Sequence, residues 1–307
     1  MSEFERSLSR RQGLALLGLA GWQSLARGQE EEIPHIATNT YPWSTFARRR
    51  NEKLDLHTEE LLSRIAKTGV AGYEPIINSA SEFKGLGARL QAAGLEMRSL
   101  YVNSTLHDES KVEESIESVL AIAEGARELG TRIIVTNPSP IRWGGPENKT
   151  DEQLRFQARS LDRLGGALRE MGIALAYHNH DIELRHGARE FHHMLTATDP
   201  ENVKFCLDAH WIFRGCGNSE VAVFDVLAHY RDRIVELHLR QSAGGAWTEA
   251  FSLEGDIDYG RLINDLRAEG IRPHLVLEQA VEKETPDTMD VVEAHRKGRL
   301  ALLEINS

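Results

Sequence analysis

The chain has 307 residues, 41% hydrophobic and 27% charged, an ordinary globular composition long enough for one large α/β domain or two small ones. Its 36 Lys and Arg stand against 47 Asp and Glu, a formal net charge of −11, so phosphate backbones and anionic membranes are repelled on average and nucleic acid is a poor expectation. Cys206 and Cys216 form no CxxC pair or zinc-finger spacing, which argues against a disulfide framework and against a thiolate metal site.

In chain order, the first 30 residues differ in kind from the rest. "SRRQGLALLGLAG" sets Arg10 and Arg11 ahead of an apolar stretch too short to span a bilayer, and "SLA" follows at 24–26. The paired arginines after Ser9, with Leu14 three places beyond Arg11, resemble the twin-arginine export signal, although Gly13 stands where that signal usually has an aromatic residue. Residues 1–30 are therefore expected to be an export segment handled by the twin-arginine machinery. The expected location is periplasmic, with no membrane association after export.

From about Ile33 onward short β-rich runs alternate with longer helical ones, and a Gly often separates a helix from the next strand. The punctuation shows in "AKTGVAGYEPI", "RELGTRIIVTN" and "REMGIALAYHNH". Candidate strands begin near His35, Val70, Glu96, Arg132, Ile173, Val203, Ile234 and His274, with helical patterns such as "TEELLSRIAKTG" between or after them. Eight strand–helix units predict a single (β/α)8 TIM barrel over residues 31–307, an α/β fold that typically takes about 250 residues. A doubly wound sheet is the alternative, but no GxGxxG follows the first strand.

A barrel puts its working residues at the C-terminal ends of strands. Those ends carry Asn39 and Tyr41, Glu74, Asn103, Asn137, His178 and His180, Asp208 and His210, His238 and Arg240, and Glu278. Asp208, His238 and Glu278 close "VKFCLD", "IVELH" and "HLVLE" and would point into one mouth. They offer mixed oxygen and nitrogen donors for one divalent cation, Mn, Zn, Co, Mg or Fe. In "AYHNHDIE", alternation turns His178 and His180 one way and Tyr177 and Asn179 the other, so one histidine can ligate a metal while its neighbour meets substrate.

Other residues have narrower expectations. Arg240, on the same face as His238, is placed to orient a hydroxyl, carbonyl or carboxylate. Trp211 and Arg214 in "HWIFRG" can wall a sugar, and the Gly- and Pro-rich loop 138–150 can cover the mouth. His192 and His193 lie side by side on a predicted helix, point apart and read as structural. Asp258 in "SLEGDIDYGRL" reads as a helix cap.

The order Glu74, the strand-five motif, "LDAHW", "ELHLRQ" and "LVLEQ" resembles the xylose-isomerase-like barrel superfamily of sugar phosphate isomerases and epimerases, ketose 3-epimerases, inosose dehydratases and class II AP endonucleases. The resemblance covers nearly the whole chain after the export segment. It implies a metal held by a strand-five residue with Asp208, His238 and Glu278, and a metal-stabilised enediolate formed by proton abstraction next to a carbonyl. The chain departs from the epimerases at strand five, where His178 stands in place of a ligand Glu; His178, His180 and Glu183 are the candidates. A second departure puts Trp211 where a ligand or substrate-binding His is expected, with His210 shifted by one. Histidine-rich strand-five motifs tilt the resemblance toward inosose dehydratase-like members. Glu278 is the first proton-transfer candidate, with His180, Glu74 or Glu183 as its partner, and Arg240, Trp211, Asn103 and His210 as substrate contacts. The substrate is expected to be a small carbohydrate or cyclitol, and homo-oligomerisation is left open. The competing readings are a non-catalytic sugar-binding barrel and, opposed by the acidic balance, an AP endonuclease-like phosphodiester hydrolase.

Overall fold

The computed structural model describes residues 34–305, and the expected export segment at 1–30 lies outside the described residues. Eight strands make the main sheet among them: β1 (Ile36–Asn39), β2 (Gly72–Glu74), β3 (Ser99–Ser104), β4 (Ile133–Pro138), β5 (Ala174–His178), β6 (Val203–Asp208), β7 (Ile234–Leu239) and β8 (His274–Leu277). All pair in parallel, in the order β2-β1-β8-β7-β6-β5-β4-β3. Bridges between Gly72 and Glu96 and between Ile76 and Tyr101 join β2 to β3, so the (β/α)8 barrel is nearly closed, as the spacing of the eight runs predicts.

Ten helices connect or flank these strands among the described residues, among them α1 (Thr40–Arg49), α2 (Glu59–Ala66), α3 (Leu86–Ala93), α4 (Val112–Glu128), α5 (Asp151–Glu170), α6 (Arg185–Thr196), α7 (Ala209–Gly215), α8 (Glu220–Tyr230), α9 (Tyr259–Ala268) and α10 (Val291–Glu304). Seven of them start on a capping side chain, while α3, α4 and α6 follow Gly85, Lys111 and Leu184 without one. Thr150 and Gln153 form a capping box on α5, and Asp258 accepts from the Arg261 N–H at the start of α9. None of the described helices is long and apolar enough to cross a membrane, and both cysteines are free.

The main core lies between the sheet and the helices. There the outward-facing strand residues, such as Leu100, Leu175, Phe205, Leu237 and Leu275, are buried. Inside the barrel the apolar filling is much smaller, a separate cluster of Val135, Ala176 and Cys206. Barrel interiors are usually filled by Val, Ile and Leu. Here a polar column takes their place. From the floor upward, His35 Nδ1 lies 3.1 Å from His274 Nε2, His274 Nδ1 lies 2.9 Å from Glu236 Oε2, and Glu236 Oε1 lies 3.3 Å from His238 Nε2. Glu74 joins at 3.0 Å from His238 Nε2, and the Ser99 hydroxyl donates to its other oxygen at 2.6 Å. Gly72 opens the floor to this column, since a Cβ there would stand 2.5 Å from His35 Cε1 and 2.9 Å from the Glu96 carbonyl.

Candidate active site

His178, Asp208 and Glu278 come from the ends of β5, β6 and β8, are all buried, and bring their donor atoms within 4.8 Å of one another. His238, from β7, sets its ring centroid 4.6 Å from that of His178 and its Nδ1 against Glu278 Oε2. The carboxylates are held in place by neighbours. Asn39 Nδ2 donates to Glu278 Oε2 at 2.8 Å, Arg240 Nη2 reaches Glu278 Oε1 at 2.7 Å and Asp208 Oδ2 at 3.3 Å, and Asp208 Oδ1 caps the Trp211 N–H at 2.9 Å.

Several nitrogens in this set lack hydrogen bonds. His178 Nδ1 and both ring nitrogens of His238 are buried without one, and the His238 nitrogens lie close to carboxylates without the alignment a hydrogen bond needs. Buried polar atoms left this way indicate a missing partner. Burial holds His178 in its neutral, ligand form, far below the ordinary imidazole pKa. Burial lifts Asp208 to about 6 against the pull of Arg240, while His238 and Arg240 outweigh burial at Glu278 and hold it below the usual carboxylate range. Two imidazoles with unpartnered nitrogens beside two carboxylates fit a divalent cation of the borderline-to-hard class.

The remaining expected residues divide between mouth and interior. His180 stands at the mouth, its ring 4.8 Å from His178, 5.6 Å from Trp211 and 5.2 Å from the half-exposed Trp143 of the 138–150 loop. Asn103 is exposed at the rim and donates to Asn78 Oδ1 at 3.1 Å. Arg240 is fully buried, far from a surface ion pair. Trp211 is half-buried beside it, and His210 is buried with Nδ1 accepting from Trp247 Nε1 at 3.3 Å. Glu183 is not brought to the donor group. Its Oε2 accepts the His180 backbone N–H at 2.7 Å and steadies the end of β5, and burial pushes its pKa up to about 8. Glu74 likewise lies under His238 in the interior column, its pKa lifted to about 7 by burial and then by Glu236. His192 pairs with Tyr230 Oη on the outside of the barrel, as a structural residue would.

Three contributors escape a reading of strand ends. Trp247 belongs to a short hairpin, Ser242–Ala243 with Ala246–Trp247, that no strand pattern announces. Glu236 sits two residues before His238, where alternation would have placed it inside. Tyr101 shares parity with Asn103 and turns its ring edge to His178 at 6.0 Å.

Known proteins agree with this architecture. The sequence profile of the xylose isomerase-like TIM barrels matches residues 62–297. An inosose dehydratase from Geobacillus kaustophilus is 26% identical over 193 residues, 59% of this chain and 61% of that protein, so the chain spans under two thirds of the curated relative's length. The crystal structure of a sugar phosphate isomerase/epimerase from Parabacteroides distasonis superposes with a TM-score of 0.66 at 18% identity, covering 88% of this chain and 94% of that one. A xylose isomerase-like TIM barrel protein from Mycobacterium smegmatis, solved in complex with magnesium, superposes at 0.62 and 15% identity over 81% of this chain and 87% of that one. The profile match takes in most of the barrel and the strand ends that carry His178, Asp208, His238 and Glu278, and on that ground the chain belongs to the xylose isomerase-like TIM barrel family.

Proposed function

We propose that the chain is a metal-dependent enzyme that isomerises, epimerises or dehydrates a sugar, cyclitol or keto-sugar by removing a proton next to a carbonyl. The observation that carries this reading is the meeting of His178, Asp208 and Glu278 within 4.8 Å, with His238 against Glu278. These four residues would hold the cation. When bound, it would polarise a substrate carbonyl and so acidify the neighbouring C–H. Glu278, and His180, whose ring lies 4.8 Å from that of His178 and whose Nδ1 is unpartnered, are the groups of this chain placed to move that proton. Asn39 and Arg240 fix the carboxylate of Glu278, and the rings of Trp211 and Trp143 lie beside His180. The inosose dehydratase relative and the magnesium in the Mycobacterium smegmatis barrel support both halves of the reading. The export segment expected at 1–30 would place the chemistry in the periplasm, on unphosphorylated substrates.

The test is elemental mass spectrometry on the wild type and on Asp208→Ala purified identically. About one Mn, Zn, Co, Mg or Fe per chain, lost in the variant, is the expected result. No metal in either protein, even after incubation with each ion, would leave the non-catalytic sugar-binding barrel as the better account.

A further inference from the structure

Beside the donor group three buried nitrogens have no hydrogen-bond partner. Arg240 Nε donates to the Glu278 carbonyl at 3.3 Å and Nη2 serves Asp208 and Glu278, but Nη1 has no partner although the residue is fully buried. Trp211 Nε1 is buried and without a partner as well, and its ring lies 4.8 Å from Arg240 Cζ. His210 adds a third donor. Its Nδ1 accepts from the Trp247 indole nitrogen, which can only donate, so the imidazole proton is on Nε2, and Nε2 also lacks a partner.

Trp247 ties these groups together. Its ring lies 4.4 Å from the Arg240 guanidinium and 4.7 Å from that of Arg214, and its Nε1 donates to His210. Arg214 forks onto Glu282 at 3.0 and 2.9 Å, and the same carboxylate accepts the Trp247 backbone N–H at 3.1 Å. Three fixed, dry N–H donors with a guanidinium among them leave a polar cost that only an acceptor can remove. A hydroxyl brings a proton of its own to such a wall. A carboxylate brings none, and its oxygens suit the Nη1 that Asp208 and Glu278 leave unpaired.

Resting on the reading of the barrel as a sugar- or cyclitol-modifying enzyme, we propose that Arg240 Nη1, Trp211 Nε1 and His210 Nε2 form a subsite for a carboxylate of the substrate, which is therefore an acid derivative of a sugar or cyclitol. The test is calorimetric binding to the full chain with the metal removed by EDTA, so that a cation cannot account for any preference for an anion. D-Gluconate and D-glucitol are the probes, because they differ at one carbon, a carboxylate against a hydroxymethyl group. Gluconate is expected to bind at least about tenfold more tightly. Trp211→Phe keeps a ring and removes the N–H, and should cut that preference about threefold or more. Arg240→Lys should abolish it, with the melting temperature of each variant reported alongside.

Equal affinity for the two probes would overturn the proposal, and so would a preference untouched by Trp211→Phe or no gluconate binding at about 10 mM to protein that melts normally. Inorganic phosphate competing better than gluconate would overturn it in favour of a phosphoryl group. Because the protein is metal-free, discrimination here by a chain that shows no metal in elemental analysis sinks the metal reading alone. A metal-loaded wild type whose stripped form does not discriminate sinks the carboxylate subsite alone.

Discussion

His238 Nε2 lies 3.0 Å from Glu74 Oε1, so the imidazole proposed to hold a cation at the mouth of the barrel has a carboxylate buried beneath it. A metal-binding histidine commonly has its second nitrogen held by such a group, which fixes the ring and raises its basicity. Glu74→Gln keeps the volume and removes the charge. The expected outcome is a 10- to 100-fold weaker affinity for the cation, roughly the usual effect of losing such a partner, with a small change in melting temperature. Titration with Mn or Co, followed by calorimetry, reads it out. An unchanged affinity would mean that Glu236 alone, 3.3 Å from the same nitrogen, orients the ring.

A second prediction concerns pH and lies away from the mouth. His295 on α10 is buried, donates from Nδ1 to the Val291 carbonyl at 2.7 Å and faces Thr38 Oγ1 through Nε2 at 2.7 Å. Burial lowers its pKa from 6.5 to about 4. The folded pKa is below the unfolded one, so on acidification the unfolded chain takes up the proton first. Stability is lost progressively as pH falls from about 6.5 to about 4, by about 3 kcal/mol from this group, and no more below that window. Urea unfolding at pH 7.5 and 4.5 should show a smaller acid loss in His295→Gln than in the wild type. Equal losses would remove His295 as a source of acid sensitivity.

The floor of the barrel gives a third. A methyl group on Gly72 would press on His35 Cε1 at 2.5 Å and on the Glu96 carbonyl at 2.9 Å, and the second of these is backbone. Gly72→Ala should cost about 1–3 kcal/mol of stability, visible as a lower urea midpoint with an unchanged slope. No change in midpoint would show that β2 and β3 can part at the Gly72–Glu96 bridge without penalty.

The loop over the mouth is tied down at its far end by a buried amine, which gives a fourth. Lys149 Nζ reaches Glu190 Oε1 at 2.5 Å and the Pro138 carbonyl at 3.2 Å, joining the two ends of the loop to α6. Lys149→Met leaves Glu190 with only the Gln157 amide at 3.0 Å and should destabilise by about 1.5–3 kcal/mol; adding Glu190→Gln should recover part of that loss. If the single variant is as stable as the wild type by thermal unfolding, the pair does not anchor the loop.

Much of this arrangement is legible in the residues themselves. Gly94, Gly130, Gly172 and Gly270 follow helices with positive φ and punctuate the chain, so eight units can be counted. Asp208, His238 and Glu278 stand out because a charged residue at the close of an apolar strand has few structural uses. The depth of Glu74 is not legible. It closes β2 as Glu278 follows β8, and only the tilt of strands in a closed barrel carries one side chain down to Ser99 and leaves the other at the rim. Trp247 is hidden for another reason, since its place beside Arg240 depends on a two-residue hairpin anchored through Glu282, 35 positions later in the chain. Glu236 and His274 alternate correctly for interior positions, but polar residues there contradict the usual filling of a barrel, so pattern alone gives no cause to look for them.

The polar column beneath the mouth bears on any attempt to move this chemistry to another protein. Copying the four rim residues onto a barrel packed with valine and leucine would carry over His238 without Glu74, Glu236 and His274, which lie below it. The transplanted imidazole would then have an apolar floor on one side and a cation on the other. The transferable unit is two storeys deep, and a designer would have to rebuild the lower one as well.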